Sequence, residues 1–590
     1  MTAMLAVVAL AGTTSNPPDG FAAGIRSLGG FAPFGADEVD SDALRLWVAR
    51  SFRGAGLAAA DGRVLAIDGR LRDRAEFVQR HALASDASDA ALILAAYAAR
   101  GPALFESLDA DIALLLVDAP ARRVILFRDV LGERGLRYAV RGTQLQVSSR
   151  GSAIVAMRGE TLVPNEVAMA HYFALRAPPD EVAWMQGVEE LPAGGLLLFD
   201  DGQRRYRRFT PDLPTAPLRF GSDAEAAEAW REVVAGAVAR ACADTDRAAI
   251  SLSSGIDSTL IAAFLDPGRA CAVSWTTPKF PECDESVLAG ATANLLGLPH
   301  RLVQGSDLLP DAHLHSWPIE PEAPYANVFR LLLQATWQAA AGCGANVLLN
   351  GCFGDELQVA PRHWPGSLVQ ERGWNALLRE LASQRHERGT RALWADPGLR
   401  RCLLPQRRAR PPKWVTAASR QQLRAGGAEG PWGLRLHRLY GREAAESGDL
   451  LRRFANSLGL ELRYVYRDPA LLRFAIALPA HYGHSLRGSK WLSREILRGR
   501  VPEAVRRGSR VGLLSPMFRT AIKRLDRAWV DSLLLRPDAV WPRHVAAPAL
   551  RKILGLHSDS DQFMAWTVLS AEVWRLFHAE PDRALLRFPP

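Results

Sequence analysis

The residues with the clearest chemistry lie in Ile250-Ser251-Leu252-Ser253-Ser254-Gly255-Ile256-Asp257-Ser258. The apolar run Ala248 to Leu252 meets small polar residues, and helical spacing resumes from Ser258 to Leu265, which predicts a strand, a turn and a helix start. Backbone N–H groups and hydroxyls of such a turn, at the positive end of a helix dipole, can surround an anion. Leu252, Ser253, Ser254, Gly255 and Ser258 are the candidate anion-binding residues. Asp257 stands inside that site and would repel polyphosphate unless a divalent cation lay between them, so the loop points to ATP-like polyphosphate with Mg²⁺. The Gly-Lys-Ser/Thr of a Walker loop does not follow. A Ser/Gly-rich strand-to-helix turn with an Asp cap is also a common structural device, so a second signal is needed.

It comes after the apolar run Asn346 to Asn350, where the chain reads Gly351-Cys352-Phe353-Gly354-Asp355-Glu356. Asp355 would reach the same sheet edge as Asp257. Two carboxylates from separate strand ends can hold Mg²⁺ against pyrophosphate oxygens and neutralise charge as an α–β phosphate bond breaks.

Length and composition bound the rest. The 590 residues, 48% of them hydrophobic, allow several cores, and two large domains fit best. A formal charge of +9, from 72 basic against 63 acidic residues, suits an anionic ligand but falls short of a nucleic-acid signature. Six cysteines, Cys242, Cys271, Cys283, Cys343, Cys352 and Cys402, form no C-x-x-C pair, which reads as reduced thiols in a cytoplasmic protein. No Lys or Arg precedes the apolar stretch Met4 to Ala11, so it reads as a buried first strand rather than a signal peptide. No apolar run approaches the ~20 residues that span a bilayer.

From residue 1 to about 215, short apolar runs alternate with turns. Arg63–Ile67, Ile112–Val117, Arg123–Phe127, Leu145–Ser148 and Leu196–Phe199 read as strands and Asp89–Arg100 as a helix, predicting stacked sheets with helices outside. After the Pro-rich segment Pro211 to Pro217, Ala224–Ala243 is an amphipathic helix. Strands Ala248–Leu252, Cys271–Trp275, Arg301–Val303 and Asn346–Asn350 then alternate with helices near Ser258–Leu265, Glu285–Leu296 and Asn327–Ala341. That alternation predicts a parallel, doubly wound sheet with ligands at the carboxyl ends of its strands.

These motifs resemble the asparagine-synthetase superfamily. The first loop is similar to the Ser-Gly-Gly-x-Asp-Ser loop of ATP pyrophosphatases, with Ser254 for the first Gly, and Gly351 to Glu356 is similar to Gly-x-Gly-Ser-Asp-Glu. Enzymes with that loop split ATP between the α and β phosphates and leave AMP on a substrate oxygen. In the first half, Arg128-Asp129-x-x-Gly132, Gly135-Leu136-x-Tyr138 and Leu191-Pro192-Ala193-Gly194 resemble the family's glutamine-amidotransferase domain. The resemblance implies a degenerate amidotransferase-like α-β-β-α sandwich over 1–215 and a doubly wound ATP-pyrophosphatase domain over 216–590, with 360–455 a divergent insertion.

One departure bears on function. The family's glutaminase needs a nucleophilic Cys directly after the initiator Met. Position 2 here is Thr2, and no Cys precedes Cys242, so the first domain is expected to be an inactive scaffold. Cys352 stands where asparagine synthetases carry Glu and β-lactam-forming relatives carry Tyr, which implies a different acyl acceptor or more room. By the resemblance, Val273 is where backbone meets adenine. Asp284-Glu285 reads either as a helix-start charge pair or as catalysts, and His300, His481 and His484 as surface or core histidines. The basic run Gln406 to Lys413 reads as an exposed loop or a peptide-binding surface.

Late in the chain, Glu461-Leu462-Arg463 follows the family's Glu-x-Arg, Lys490 to Arg494 its Lys-x-x-x-Arg helix, and Arg510-Val511-Gly512 its Lys-x-Gly, with Arg510 for the Lys. Glu461 reads either as a general base or as an internal ion pair with Arg463. Arg510 can clamp an oxyanion without acting as an acid, and Lys490 is the third candidate catalytic group. The missing thiol, the altered substrate position and the insertion look most like the lasso-peptide cyclases. Those use ATP and Mg²⁺ to close a macrolactam on a precursor peptide, and they work with a leader peptidase and a leader-binding protein. β-Lactam synthetases and ammonia-using asparagine synthetases are the alternatives, with no nucleic acid or membrane partner expected.

Overall fold

The structure is a computed structural model that describes residues 3–10, 20–28, 35–41, 43–50, 56–200, 202–309, 319–324, 327–358, 364–383, 412–423, 431–485, 488–508, 514–554 and 559–579. Its first twelve strands are β1 (Met4–Ala9), β2 (Ala36–Asp40), β3 (Leu44–Ala49), β4 (Leu57–Ala60), β5 (Arg63–Leu71), β6 (Ala110–Asp118), β7 (Arg123–Arg128), β8 (Arg137–Arg141), β9 (Gln144–Ser148), β10 (Glu189–Glu190), β11 (Gly195–Asp200) and β12 (Gln203–Arg208). They form two six-stranded antiparallel sheets, ordered β10-β8-β9-β1-β3-β2 and β12-β11-β7-β6-β5-β4.

Alternation along each strand builds the layers. Met4, Ala6 and Val8 of β1 meet Ala113, Leu115 and Leu126 between the sheets. Leu5 and Val7 face the helices Phe21–Leu28 and Gly151–Met157, while Leu114, Leu116 and Ile125 face the helix Asp89–Arg100. The result is the α-β-β-α sandwich that the sequence predicts.

Five further strands, β13 (Ala248–Ser251), β14 (Ala270–Thr276), β15 (His300–Gln304), β16 (Val347–Leu349) and β17 (Glu461–Arg463), form a parallel sheet ordered β15-β14-β13-β16-β17. Ala248 and Ile250 point to one face, against Trp230 and Val234 of the helix Asp223–Cys242. Ala249 and Leu348 point to the other, against Trp337 and Ala340 of the helix Arg330–Gly342 and Phe454 of the helix Arg442–Ser457. This is the doubly wound arrangement, and its strand order reverses between β13 and β16. Ligands bind at such a reversal, outside the carboxyl ends of the strands.

Charge fills the junction between the sandwich and the parallel sheet. Arg128, Arg134, Arg137, Arg452 and Arg467 are all fully buried. Arg137 reaches Asp449 at 3.0 Å, Glu322 at 3.1 Å and Glu190 at 3.2 Å, and Arg467 reaches Glu133 at 2.8 Å. A second link is apolar. Trp529, Trp566 and Leu569 of the late helices Arg527–Leu534 and Asp559–Ala579 share one core with Ile154, Met169, Phe173 and Trp184 of the sandwich. Among the described residues, no helix is long and apolar enough to cross a membrane.

Candidate functional site

Strand β13 ends at Ser251, and the chain turns through Leu252 to Gly255 into the helix Ile256–Ala262, which carries Asp257 in its first turn. The Leu252 N–H donates to the Val273 carbonyl (2.9 Å), and Ser274 Oγ donates to the Leu252 carbonyl (2.6 Å). The turn braces itself. Ser258 Oγ accepts from the Ser253 N–H (3.1 Å) and lies 2.9 Å from Ser253 Oγ, which in turn accepts from the Gly255 N–H (3.1 Å). Ser254 Oγ donates to Glu285 (2.8 Å).

The second loop leaves β16 and enters the helix Gly354–Gln358, which carries Asp355. Two glycines let it lie against the first. A Cβ at Gly354 would sit 2.4 Å from Asp257 Cγ, and one at Gly351 would sit 2.9 Å from the Ser258 nitrogen. Between them Phe353 holds a left-handed backbone, φ +69°, with its ring edge-on to Tyr464 at 5.0 Å.

Lys490 joins the two loops. From the start of the helix Trp491–Ile496 its Nζ contacts Asp257 Oδ2 and lies 2.6 Å from Asp355 Oδ1. Burial pushes the Asp257 carboxyl up to about 6 against the pull of Lys490. Asp257 is held on other sides as well: Gln358 Nε2 donates to its Oδ1 (2.9 Å), and the Tyr466 hydroxyl donates to its carbonyl (2.9 Å). Sequence reasoning missed Gln358, Tyr466 and Ser493, which bonds Gln358. Gln358 follows Asp355, Glu356 and Leu357 in a five-residue helix, and nothing in that order marks its amide as a partner of Asp257.

These groups open onto a cleft of about 830 Å³. Leu252, Val273, Trp275, Trp337 and Cys352 supply its walls, and Arg498 and Arg507 stand toward its rim. Two carboxylates touching one ammonium make a cation site. The pair, Asp257 and Asp355, fits Mg²⁺, which takes one or two carboxylates and completes its shell with phosphate oxygens and water.

Several expectations change. Glu461 is the first residue of β17, on the amino edge of the sheet and away from the cleft. It is buried against Arg463 (3.0 Å), Arg134 (3.5 Å) and Arg70 (3.8 Å). Burial alone would raise its carboxyl, but those guanidinium groups hold it well below the usual carboxylate range. The ion-pair reading therefore replaces the general base. Glu461→Gln is expected to lower stability, because it strips the shared partner from three buried cations. An unchanged urea-unfolding midpoint would contradict that.

Cys352 lines the cleft, and burial pushes its thiol up to about 12, so it supplies space rather than a nucleophile. Asp284 accepts from Thr276 Oγ1 (2.7 Å), the Thr277 N–H (2.9 Å) and the Ser286 N–H (2.8 Å), tying the end of β14 to the start of the helix Ser286–Leu295. His300 Nε2 lies 2.9 Å from Ser274 Oγ, and His481 is buried. Arg510, Thr2, Cys402 and most of Gln406 to Lys413 lie outside the described residues.

Comparison with known families agrees with this geometry. The asparagine synthase family model matches residues 229–576, and the glutamine amidotransferase domain model matches 67–210. The chain belongs to the asparagine synthase family. This family member is 27% identical over 248 residues to a carboxyethyl-arginine beta-lactam-synthase of Streptomyces clavuligerus, covering 41% of this chain and 45% of that one. It is 26% identical over 257 residues to a Mycobacterium bovis protein provisionally named asparagine synthetase [glutamine-hydrolyzing], covering 41% and 39%. The chain thus spans less than half the length of these relatives. A glutamine phosphoribosylpyrophosphate amidotransferase from B. subtilis superposes with a TM-score of 0.26 at 13% identity, covering 51% of this chain and 65% of that one, too loosely to carry an argument.

Proposed function

We propose that this family member is an ATP-dependent, AMP-forming amide ligase that adenylates an Asp or Glu side chain of a precursor peptide. The peptide's own N-terminal amine then closes the macrolactam, as in lasso-peptide biosynthesis. The observation that carries the ligase reading is the pair Asp257 and Asp355, brought from two strand ends to one cation at the point where the sheet order reverses. When bound, Mg²⁺ would supply charge neutralisation at the β and γ phosphates. Leu252 and Val273 then flank the base, Gly351 and the Ser253 to Ser258 turn receive phosphate oxygens, and Lys490 turns from the carboxylates to the departing pyrophosphate. A carboxylate oxygen takes the AMP as pyrophosphate leaves; the amine, its ammonium proton given up to solvent, attacks that acyl carbon, and the C–O bond to AMP breaks as the amide nitrogen loses its second proton. Arg510 is assigned to the negative charge of that second step.

Two observations favour a peptide over a small amino acid. The cleft of about 830 Å³ lies toward the upper end of ligand clefts, roughly 300–1,000 Å³, and so has room beyond a nucleotide. Cys352 keeps its wall short where the family carries Glu or Tyr. Holding a folded peptide while its ring closes also removes entropy that free peptide would lose in the transition state. A leader peptidase and a leader-binding protein are the accompanying partners. The similarity to a beta-lactam-synthase supports a second reading, ring closure on a small amino acid.

The test is incubation with ATP, Mg²⁺ and either a precursor peptide or small amino acids. Peptide-dependent AMP and pyrophosphate, with peptide lighter by one water, supports macrolactam closure. AMP released only with small amino acids moves the assignment to the second reading, and no pyrophosphate with any substrate overturns the ligase. Glutamine hydrolysis is expected to be absent, because none of the six cysteines falls among the strands of the sandwich to supply a thiol nucleophile. Glutamate release that disappears in Thr2→Ala would refute this.

A further inference from the structure

The Asp257 carboxylate is aimed by a chain of buried hydrogen bonds whose direction is fixed at its far end. Trp230 Nε1 can only donate, and it donates to Ser493 Oγ at 3.0 Å. That leaves the Ser493 proton free for Gln358 Oε1, to which the hydroxyl donates. With its oxygen so occupied, the Gln358 amide must present Nε2 to Asp257 Oδ1, where the distance is 2.9 Å. Trp230, Ser493 and Gln358 are all buried, so water does not compete for these groups. An indole that can only donate at one end and a carboxylate that can only accept at the other agree on one orientation of the amide between them. Oδ1 is thus fixed from behind, while Lys490 takes Oδ2.

From this we infer that Gln358 is a positioning residue for the cation site, acting through Asp257, and that Ser493 and Trp230 set its orientation. The inference rests on the metal reading of Asp257 and Asp355. A held carboxylate offers its remaining lone pairs to the cleft in one orientation. A free one rotates and meets the cation only part of the time. Groups that orient metal ligands are worth about 10- to 100-fold in metal affinity.

The measurement is Mn²⁺ binding followed by electron paramagnetic resonance, with a non-hydrolysable ATP analogue present. Gln358→Met keeps the volume and removes both bonds. Its Mn²⁺ affinity is expected to fall about tenfold, with binding of metal-free nucleotide unchanged. Ser493→Ala should shift affinity in the same direction, Ser493→Thr should restore it, and Gln358→Met with Ser493→Ala should be no worse than Gln358→Met alone. A purely structural role would instead give additive losses of stability and leave Mn²⁺ affinity where it was. Should Gln358→Met fail to fold, the Ser493→Ala and Ser493→Thr pair carries the test, and equal affinities in the two overturn the inference. Absence of Mn²⁺ binding by the unsubstituted protein overturns the metal reading and this inference with it. Binding that survives unchanged in folded Gln358→Met overturns this inference alone.

Discussion

Asp257→Asn is expected to abolish AMP formation, and Asp355→Asn to do the same at ordinary Mg²⁺, with both proteins folded. Each exchange keeps the shape of the side chain and removes half of the negative charge that faces Lys490. Without that charge Mg²⁺ is held less tightly, less positive charge faces the polyphosphate as the α–β bond breaks, and a loss of ~10³-fold or more follows. The two variants should differ on raising Mg²⁺. The Asp355 side chain is 73% exposed, so water can replace it as a ligand, whereas Asp257 is 15% exposed and fixed by Gln358 and Lys490. Partial rescue is therefore expected for Asp355→Asn and none for Asp257→Asn. Chromatographic measurement of AMP and pyrophosphate decides, and normal turnover in either variant at ordinary Mg²⁺ would rule out a two-carboxylate site.

The second large effect concerns stability. Asp449 accepts from Arg137 (3.0 Å), Arg453 (2.9 Å) and the Gly135 N–H (3.1 Å), all buried. The guanidinium groups hold its carboxyl well below the usual range against the effect of burial. Asp449→Asn leaves two buried cations short of a partner, and breaking a buried pair in this way costs about 3–5 kcal/mol. Urea unfolding should show a clearly lowered midpoint. The double variant Arg137→Met with Asp449→Asn should lose less than the sum of the single losses, since it also removes one of the stranded charges. An unchanged midpoint for Asp449→Asn would mean that water reaches this junction.

What could be read in advance was local. The helix Asp89–Arg100 appears over the residues its spacing predicts, because Ser88 caps it and its apolar face meets the sheet. Both acidic loops were legible because glycines and a carboxylate sit within a few residues at the end of an apolar run. Strand β5 runs to Leu71, past the Ile67 expected, because Asp68 and Arg70 interrupt the apolar pattern; Arg70 turns instead to Asp244 and Glu461. Strand β17 was not read as a strand at all. It is three residues long and two of them are charged, and it is β16 beside it together with arginines from the sandwich that make it one. Lys490 was singled out as a cation, but its place between the carboxylates depends on a contact across 233 residues that no local pattern encodes.

The core that the late helices share with the sandwich has a consequence for how the polypeptide is made. Ile154, Met169, Phe173 and Trp184 are synthesised long before Trp529, Trp566 and Leu569, and the Tyr172 hydroxyl finds the Thr567 carbonyl across 395 residues. A ribosome adds about 5–20 residues per second, so this apolar face waits on the order of half a minute for its cover. Contacts so distant in sequence also carry the largest loop-closure cost and form last. The nascent first half therefore passes through an interval in which this apolar face lacks the late helices that cover it in the finished molecule.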